Sequence, residues 1–292
     1  MRTITTVSEL RLALAEARNP ASRIGFVPTM GYLHDGHLAL VQASRTRCST
    51  NVVSIFVNPT QFGPKEDLSI YPRDFPRDEE LCRAAGVDIL FVPQAEEVYP
   101  PQFGTFVEPG ALARPLCGSF RPGHFRGVAT VVSKLFNMVQ PDVAFFGQKD
   151  FQQCAVIRRI ASDLNFPIEI VTVPTVRDPD GLAMSSRNRY LSATERERAL
   201  SLSRGLFEAQ AHFRAGERDP VRLLLRARRS IENVDELQYL EIVDAQTLES
   251  VTNRVSRPAA ICVAAYVGST RLIDNVVLNP DGYAGRYQAS AS

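Results

Sequence analysis

Short apolar runs alternate with amphipathic stretches over the first 175 residues of the chain. The apolar runs predict strands at residues 24–27, 52–57, 87–92, 143–146 and 168–173. Between them, apolar positions recur at helical spacing and predict helices that begin near residue 37 and span residues 74–85, 125–139 and 150–164. Strands that are apolar throughout and alternate with helices are typical of a parallel sheet covered on both faces. The pattern therefore predicts an α/β fold with a doubly wound parallel sheet.

The pattern changes after Pro174. Residues 193–214 predict a long charged helix, and residues 220–233 predict another. Residues 237–243 and 259–267 then predict antiparallel strands. We therefore place a boundary near Thr175, between a domain of residues 1–175 and a smaller α+β domain of residues 176–292. The segment from about residue 284 is small and polar, and we expect it to be frayed.

Composition narrows the class of protein. The hydrophobic share is 45%, and 33 basic residues nearly balance 32 acidic ones, so no basic excess indicates a nucleic-acid partner. Five scattered cysteines, none in a CxxC pair, indicate buried thiols in a reducing compartment rather than disulfides or a zinc site. No apolar run reaches membrane-spanning length, and the N-terminus has no signal-peptide core. The sequence predicts a soluble cytoplasmic protein without a membrane partner.

The loop after the first predicted strand carries two histidines at the start of a helix. His34 and His37 are three residues apart, so both rings can point the same way. A helix N-terminus offers free N–H groups to phosphate, and two imidazoles there can donate hydrogen bonds to a leaving pyrophosphate. Gly31 and Gly36 permit close backbone approach. The alternative is that both histidines only cap the helix and pack, and a zinc site would need a third ligand.

Three further loops follow predicted strands, where ligands bind in α/β sheets. In the loop at residues 58–63, Gln61 has an amide suited to hydroxyl and carboxylate groups, although the loop alone is only a turn signal. Lys149 follows the fourth strand and can reach phosphate, whereas Asp150 is as well explained by helix capping. After the fifth strand, two serines precede Arg187 in a connection that predicts a phosphate-binding lid or an ordinary polar linker.

Together these segments resemble the pantothenate synthetase family over nearly the whole chain. The motifs occur in order and read PTMGYLHDGH, FVNPTQF, FRPGHFRGVATVV, FFGQKDFQQ, GLAMSSRNRYLS and STRLIDN. The HxGH match alone would indicate only the wider nucleotidylyltransferase superfamily. The family resemblance implies a Rossmann-like N-terminal domain, a C-terminal lid domain and a homodimer. It also implies ATP-dependent condensation of (R)-pantoate with β-alanine through a pantoyl-adenylate, with Mg²⁺ carried on the ATP phosphates and no tightly bound cofactor or protein metal site.

The resemblance also implies roles for individual residues. Catalysis would fall to His37, His34, Lys149 and Arg187, with His37 as a proton donor in the family view and as a stabiliser of phosphate charge in ours. Pantoate would be held by Gln61 and Gln153, with Gln61 also near β-alanine. The ATP site would comprise Met30, Gly31, Tyr32, Leu33, His34, Asp35, Gly36, His37, Gly147, Gln148, Lys149, Asp150, Val176, Met184, Ser185, Ser186 and Arg187.

Two positions depart from the commonest family pattern, and two other functions are compatible with the motifs. Tyr32 stands where a small residue is frequent, and Gln148 stands where an acid is frequent. A plain nucleotidylyltransferase would stop at a nucleotidyl product, whereas a nucleotide sensor would bind ATP without turnover. The motifs name no general base for the attacking amine, so solvent and the adenylate phosphate both remain open as proton acceptors.

Overall fold

The computed structural model describes residues 1–64 and 66–280, so the segment from residue 284 lies outside the described residues. The strands are β1 (Arg2–Ile4), β2 (Ile24–Thr29), β3 (Thr50–Ile55), β4 (Ile89–Phe91), β5 (Val143–Gly147), β6 (Glu169–Val173), β7 (Glu236–Asp244), β8 (Ala259–Val267) and β9 (Thr270–Leu278). The helices are α1 (Val7–Ala17), α2 (Asp35–Arg45), α3 (Phe75–Ala84), α4 (Ala95–Val98), α5 (Cys117–Phe120), α6 (His124–Val139), α7 (Phe151–Asp163), α8 (Ala193–Arg214) and α9 (Pro220–Ser230).

Six strands form one parallel sheet in the order β1-β4-β3-β2-β5-β6. The chain moves outward in one direction from β2 through β3 to β4, and in the other from β5 to β6. The order therefore reverses between β2 and β5, which opens a crevice beyond their carboxyl ends. The predicted doubly wound, Rossmann-like sheet is confirmed. The sequence pattern missed β1, because this three-residue edge strand buries only Ile4.

Successive side chains of the central strands pack on opposite faces of the sheet. Phe26 and Phe146 belong to one apolar cluster, formed with residues of α1, α6 and α7. Val27 and Phe145 belong to another, which contains Leu40 of α2. Both faces are therefore buried, which explains why these strands are apolar throughout rather than alternating.

The C-terminal sheet is antiparallel, in the order β7-β8-β9. Ile261 and Val263 of β8 pack with residues of α8 and α9. Ala260 and Cys262 face the other way and join the large cluster of the parallel-sheet unit. The predicted α+β character is confirmed, and the division at residue 175 stays a prediction.

The sequence pattern missed β9 because two polar residues interrupt its apolar run. Both are buried and hydrogen-bonded. Asp274 accepts two hydrogen bonds from Arg177, at 2.7 and 2.9 Å. Asn275 donates to the main-chain oxygens of Gln148 and Lys149, at 3.0 and 2.9 Å. The contacts of Asn275 fix the loop after β5 against the C-terminal sheet.

Within the part of the chain that the structure describes, no helix combines the length and apolar character needed to cross a bilayer.

Gly127 lets α6 approach the turn that contains Gln61. A Cβ atom at this position would lie 2.3 Å from the main-chain oxygen of Thr60. We expect Gly127→Ala to lower the free energy of unfolding by about 1–3 kcal/mol, because the backbone of the turn must shift. Urea denaturation measures the change. Gly110→Ala is the matched control, since no atom lies within 4 Å of its added Cβ. Equal stability of the two variants would contradict close packing at Gly127.

Candidate active site

The loops that follow β2, β3, β5 and β6 converge on one cavity of about 230 Å³ beyond the carboxyl ends of these strands. The cavity lies at the reversal of strand order, between β2 and β5. The predicted site residues that line it are Met30, His34, Gly36, His37, Gln61, Gly147, Lys149, Asp150, Gln153, Val176, Met184, Ser185, Ser186 and Arg187.

Five residues of the expected ATP site do not line this cavity, namely Gly31, Tyr32, Leu33, Asp35 and Gln148. The Leu33 side chain is 1% exposed and packs in an apolar cluster. The Tyr32 ring lies against two guanidinium groups, those of Arg77 and Arg189. Direct side-chain contact of Leu33 with a ligand in the cavity is therefore excluded, and any role it has in binding falls to its backbone.

His34 and His37 cap helix α2 with one ring nitrogen each and leave the other free. The Nδ1 atom of His34 accepts a hydrogen bond from the Gly36 amide at 3.1 Å, and the Nδ1 atom of His37 accepts one from the His34 amide at 3.3 Å. An Nδ1 atom that accepts carries no proton, so the proton of each neutral ring is on Nε2. Capping and ligand binding are thus compatible, because each ring keeps an Nε2–H donor.

The protonated form of both rings is disfavoured. Burial, and secondarily the charge of Lys149, lowers the pKa of His34 to about 4. Burial also lowers the pKa of His37 well below its usual value, with further contributions from His34 and Lys149. Both imidazoles are therefore neutral hydrogen-bond donors at neutral pH. The charged imidazolium form, which a proton donor requires, would be poorly populated. Two neutral hydrogen-bond donors, in contrast, suit the negative charge that develops on phosphate.

The loop between β2 and α2 (residues 30–34), which we call the histidine loop, is held in place by Asp78 of α3. Its carboxylate is 1% exposed and accepts from the amides of Tyr32 and Leu33, at 2.6 and 2.7 Å. Burial raises the pKa of Asp78 despite these two hydrogen bonds. Gly31 has a φ of 81°, and Tyr32 has a φ of 51°, so this carboxylate stabilises a left-handed turn. Asp78 lies in a charged helix without a motif, and the sequence analysis missed it.

Gln61 is positioned by a second buried polar residue, Asn58. The Asn58 amide is 1% exposed and donates to Gln61 Oε1 at 3.0 Å. Its Oδ1 atom accepts from Tyr99 at 2.7 Å. The Gln61 amide nitrogen, in turn, lies 3.0 Å from the Met30 sulfur. Gln61 is thus directed at the cavity, and Gln153 of α7 also lines it.

The loop after β5 presents Lys149 and Asp150 to the cavity. Gly147 has an ordinary φ of −80°, and a Cβ atom there would meet no atom within 4 Å. No internal packing therefore explains this glycine, whereas the open space beside it suits a ligand. Asp150 makes no side-chain capping bond to α7, and its carboxylate lies 3.7 Å from Lys149. Asp150 therefore occupies the N-cap position of α7 without a side-chain capping bond, and its contact with the nucleotide stays a prediction.

Arg187 reaches the cavity but is already paired. Its guanidinium donates twice to Asp67, with both distances at 2.8 Å. Ser186 donates to the main-chain oxygen of Tyr32 at 3.2 Å, and Ser185 caps the turn that contains Arg187. Residues 185–187, which we call the serine–arginine segment, therefore contact both the histidine loop and residues 66–72. We call the latter the 66–72 segment. An incoming phosphate would have to replace Asp67 at Arg187.

Arg121 and His124 form a second polar group beside Gln61. Arg121 pairs with Glu66 through two hydrogen bonds of 2.7 and 2.6 Å, and this pairing lowers the pKa of Glu66 although burial opposes it. His124 Nδ1 lies 2.9 Å from the main-chain oxygen of Gln61, and its Nε2 lies 3.1 Å from Arg121. A carbonyl only accepts, so His124 carries its proton on Nδ1. The FRPGHFRG motif contained both residues, but sequence alone gave them no role.

Metal-binding capacity in this region is limited. Among residues 1–64 and 66–280, no group of three or more histidine, cysteine or acidic side chains is arranged to hold a metal ion. All five cysteines are buried and unpaired. The expectation that the protein has no metal site of its own stays a prediction.

A parallel sheet whose reversal point holds neutral imidazoles, a lysine and an arginine defines a nucleotide-dependent α/β enzyme. A family model described as pantoate-beta-alanine ligase matches residues 2–277. Pantothenate synthetase 1 of Bradyrhizobium diazoefficiens is 72% identical over 279 residues, which cover 96% of this chain and 99% of that protein. The chain belongs to the pantoate–β-alanine ligase family, which confirms the predicted resemblance and enzyme class.

Solved structures agree in fold. Pantothenate synthetase from Thermus thermophilus has a TM-score of 0.90 at 48% identity, covering 96% of this chain and 100% of that one. Pantoate-beta-alanine ligase from Francisella tularensis, complexed with beta-gamma ATP and beta-alanine, has a TM-score of 0.78 at 32% identity. That match covers 95% of this chain and 97% of the Francisella chain.

The hydrogen-bond pattern predicts the tautomers of three histidines. At pH 7 we expect His34 and His37 to be neutral with the proton on Nε2, and His124 to be neutral with the proton on Nδ1. Nitrogen-15 NMR of the four histidines distinguishes these forms, with assignments from single substitutions. His34 should stay neutral until the pH approaches about 4. A charged His34 ring at pH 6 would contradict the proposed donors.

The same pKa shifts have a consequence for stability. Burial lowers the pKa of His34 and of His124 from 6.5 to about 4 in the folded chain. Below pH 6.5 the unfolded chain therefore binds more protons, and stability is lost as the pH falls toward 4. We expect His34→Asn, which keeps a capping side chain, to lose less stability over this range. Urea denaturation at pH 7 and pH 5 compares the two proteins, and an unchanged difference would contradict the shift.

Proposed function

We propose that this chain joins (R)-pantoate to β-alanine in two steps within the cavity at the strand reversal. The pantoate carboxylate attacks the α-phosphorus of ATP, and pyrophosphate leaves. The β-alanine nitrogen then attacks the acyl carbon of the pantoyl-adenylate, AMP leaves and the nitrogen loses a proton. The observation that carries this proposal is the convergence of two neutral Nε2–H donors and Lys149 on one cavity, beside two glutamines suited to a small polar acid.

Each cavity residue has a role that follows from its charge and position. The Nε2–H groups of His34 and His37, together with Lys149, stabilise charge on the departing pyrophosphate. Arg187 joins them once phosphate replaces Asp67. Gly147 and Val176 border the space for the nucleotide, and Gln61 and Gln153 hold pantoate. The residues of the expected ATP site that do not line the cavity act through backbone groups or through the loops they form.

Magnesium fits this site as an ion that arrives with ATP. Mg²⁺ in such enzymes is usually bound by one or two carboxylates together with substrate phosphates, and it neutralises phosphate charge. Asp150 lines the cavity and its side chain is 44% exposed, so it is the residue that would hold the ion.

The proton released by the amine does not go to a histidine of the cavity. His34 and His37 each have a protonated Nε2 and an Nδ1 engaged by an amide. His124 has one nitrogen on a carbonyl and the other against Arg121. None of the three offers a free basic nitrogen, which leaves the adenylate phosphate and water as acceptors.

The buried free thiols suit a reducing cytoplasm, and we propose a homodimer on the basis of family membership.

Omission of single components tests the function. We expect AMP and pantothenate only when ATP, magnesium, (R)-pantoate and β-alanine are all present. A nucleotidylyltransferase would stop at the nucleotidyl product and release no AMP when β-alanine is added, and a sensor would bind ATP without releasing AMP or pyrophosphate. Either result from folded protein would overturn the proposal.

Lys149→Ala tests the phosphate role. We expect pantoate-dependent exchange of pyrophosphate into ATP to fall about 10²–10³-fold, because a charge aimed at the leaving group is lost. Lys134→Ala is the matched control, since Lys134 lies on α6 outside the cavity, over the rings of Tyr99 and Phe103. Its exchange rate should stay near that of the unmodified protein. Near-normal pyrophosphate exchange by Lys149→Ala would contradict the proposed role of Lys149 at the leaving group.

A further inference from the structure

Arg121 lies where three cavities meet. It lines the main cavity, a neighbouring space of about 50 Å³ and a third cavity of about 510 Å³. The third cavity is bounded by the 66–72 segment, the serine–arginine segment and β9. A small molecule that extends from one of these cavities into another therefore lies beside this guanidinium.

The guanidinium is held independently of Glu66. One terminal nitrogen lies 3.1 Å from His124 Nε2, and the other lies 3.4 Å from the main-chain oxygen of Gln61. The Arg121 side chain is 14% exposed and that of Glu66 is 24% exposed. Arg121 would thus stay beside Gln61 if Glu66 moved away, and a buried guanidinium without an anion is unfavourable.

Glu66 presents to Arg121 the group that an acceptor amino acid would present. Its carboxylate accepts from Nε and from one terminal nitrogen, at 2.7 and 2.6 Å, in the paired geometry that arginine forms with any carboxylate. The next residue, Asp67, occupies Arg187 in the same way. Two consecutive acids therefore cover the two arginines that face the site.

We propose that Arg121 recognises the carboxylate of the acceptor amino acid, and that Glu66 occupies its place in the unliganded protein. The reasoning rests on the proposed function, since it assumes that the acceptor carries a carboxylate. With that carboxylate on Arg121, beside Gln61, the amine end of a short acceptor points into the main cavity. Selection of an amino acid over a simple amine then resides in this one guanidinium.

The test compares β-alanine with propylamine, which has the same chain length and no carboxylate. We expect Arg121→Met to raise the KM for β-alanine about 10–100-fold, the cost of a lost charge-assisted contact. The preference for β-alanine over propylamine in kcat/KM should fall by a similar factor. Pantoate-dependent pyrophosphate exchange should stay within about threefold, since Arg121 does not act in the first step.

Two further variants separate recognition from folding. Arg121→Lys keeps the charge and should restore part of the preference. Glu66→Gln should leave the preference intact and leave the KM for β-alanine equal or lower, because a competing carboxylate is gone. Arg126→Met is the matched control, since Arg126 lies on α6, pairs with Glu108 and does not line any of the three cavities.

Three results would overturn the proposal. Parallel loss of pyrophosphate exchange in Arg121→Met would assign Arg121 to pantoate or to folding. An equal rise in KM for propylamine would exclude recognition of the carboxylate. A rise in the β-alanine KM of Glu66→Gln would make Glu66 part of the acceptor site. Failure of the unmodified protein to form AMP with β-alanine would instead refute the proposed function, so the two failures are distinguishable.

Discussion

The parallel pairing of β2 with β5 is the constraint on which the site depends. From β2 the chain continues to the strands on one side of the sheet, and from β5 it continues to the strand on the other side. No crossover connection therefore covers the space beyond the carboxyl ends of these two strands. The loop that follows each strand must turn at this edge, which brings His34 and His37 toward Lys149 although more than 100 residues separate them in sequence. Burial of both sheet faces fixes the register and therefore the relative height of the two loops.

Buried polar residues hold these loops in place. Asp78 accepts from two amides of the histidine loop, and Asn58 orients Gln61. Asn275 donates to the main-chain oxygens of Gln148 and Lys149. Each is nearly inaccessible to solvent, so the cost of leaving it unpaired is high and the alternative loop positions are disfavoured. The C-terminal sheet contributes to the site chiefly in this way, through Asn275 of β9.

Helix capping and the catalytic role that we propose fall to the same imidazoles in this protein. Because Nδ1 of His34 accepts from the Gly36 amide and Nδ1 of His37 accepts from the His34 amide, rotation of each ring is restricted and the Nε2–H is the group left for a ligand. Burial then keeps both rings neutral, which adds donors to the cavity without adding charge. The positive charge at the cavity comes instead from Lys149 and Arg187, and Asp67 pairs with Arg187.

The sequence by itself determined the fold class, the positions of most strands along the chain and the loops that hold the candidate site residues, because continuous apolar runs and the HxGH-type motifs are local features of the chain. It did not reveal β9, Asp78 or the pairing of Arg121 with Glu66. Their partners are distant in sequence, and a buried aspartate, asparagine or arginine has no local pattern that distinguishes it from a solvated one. Only the tertiary structure decided which nitrogen of each histidine is free and which carboxylates cover the arginines, because both depend on contacts between segments that the fold brings together.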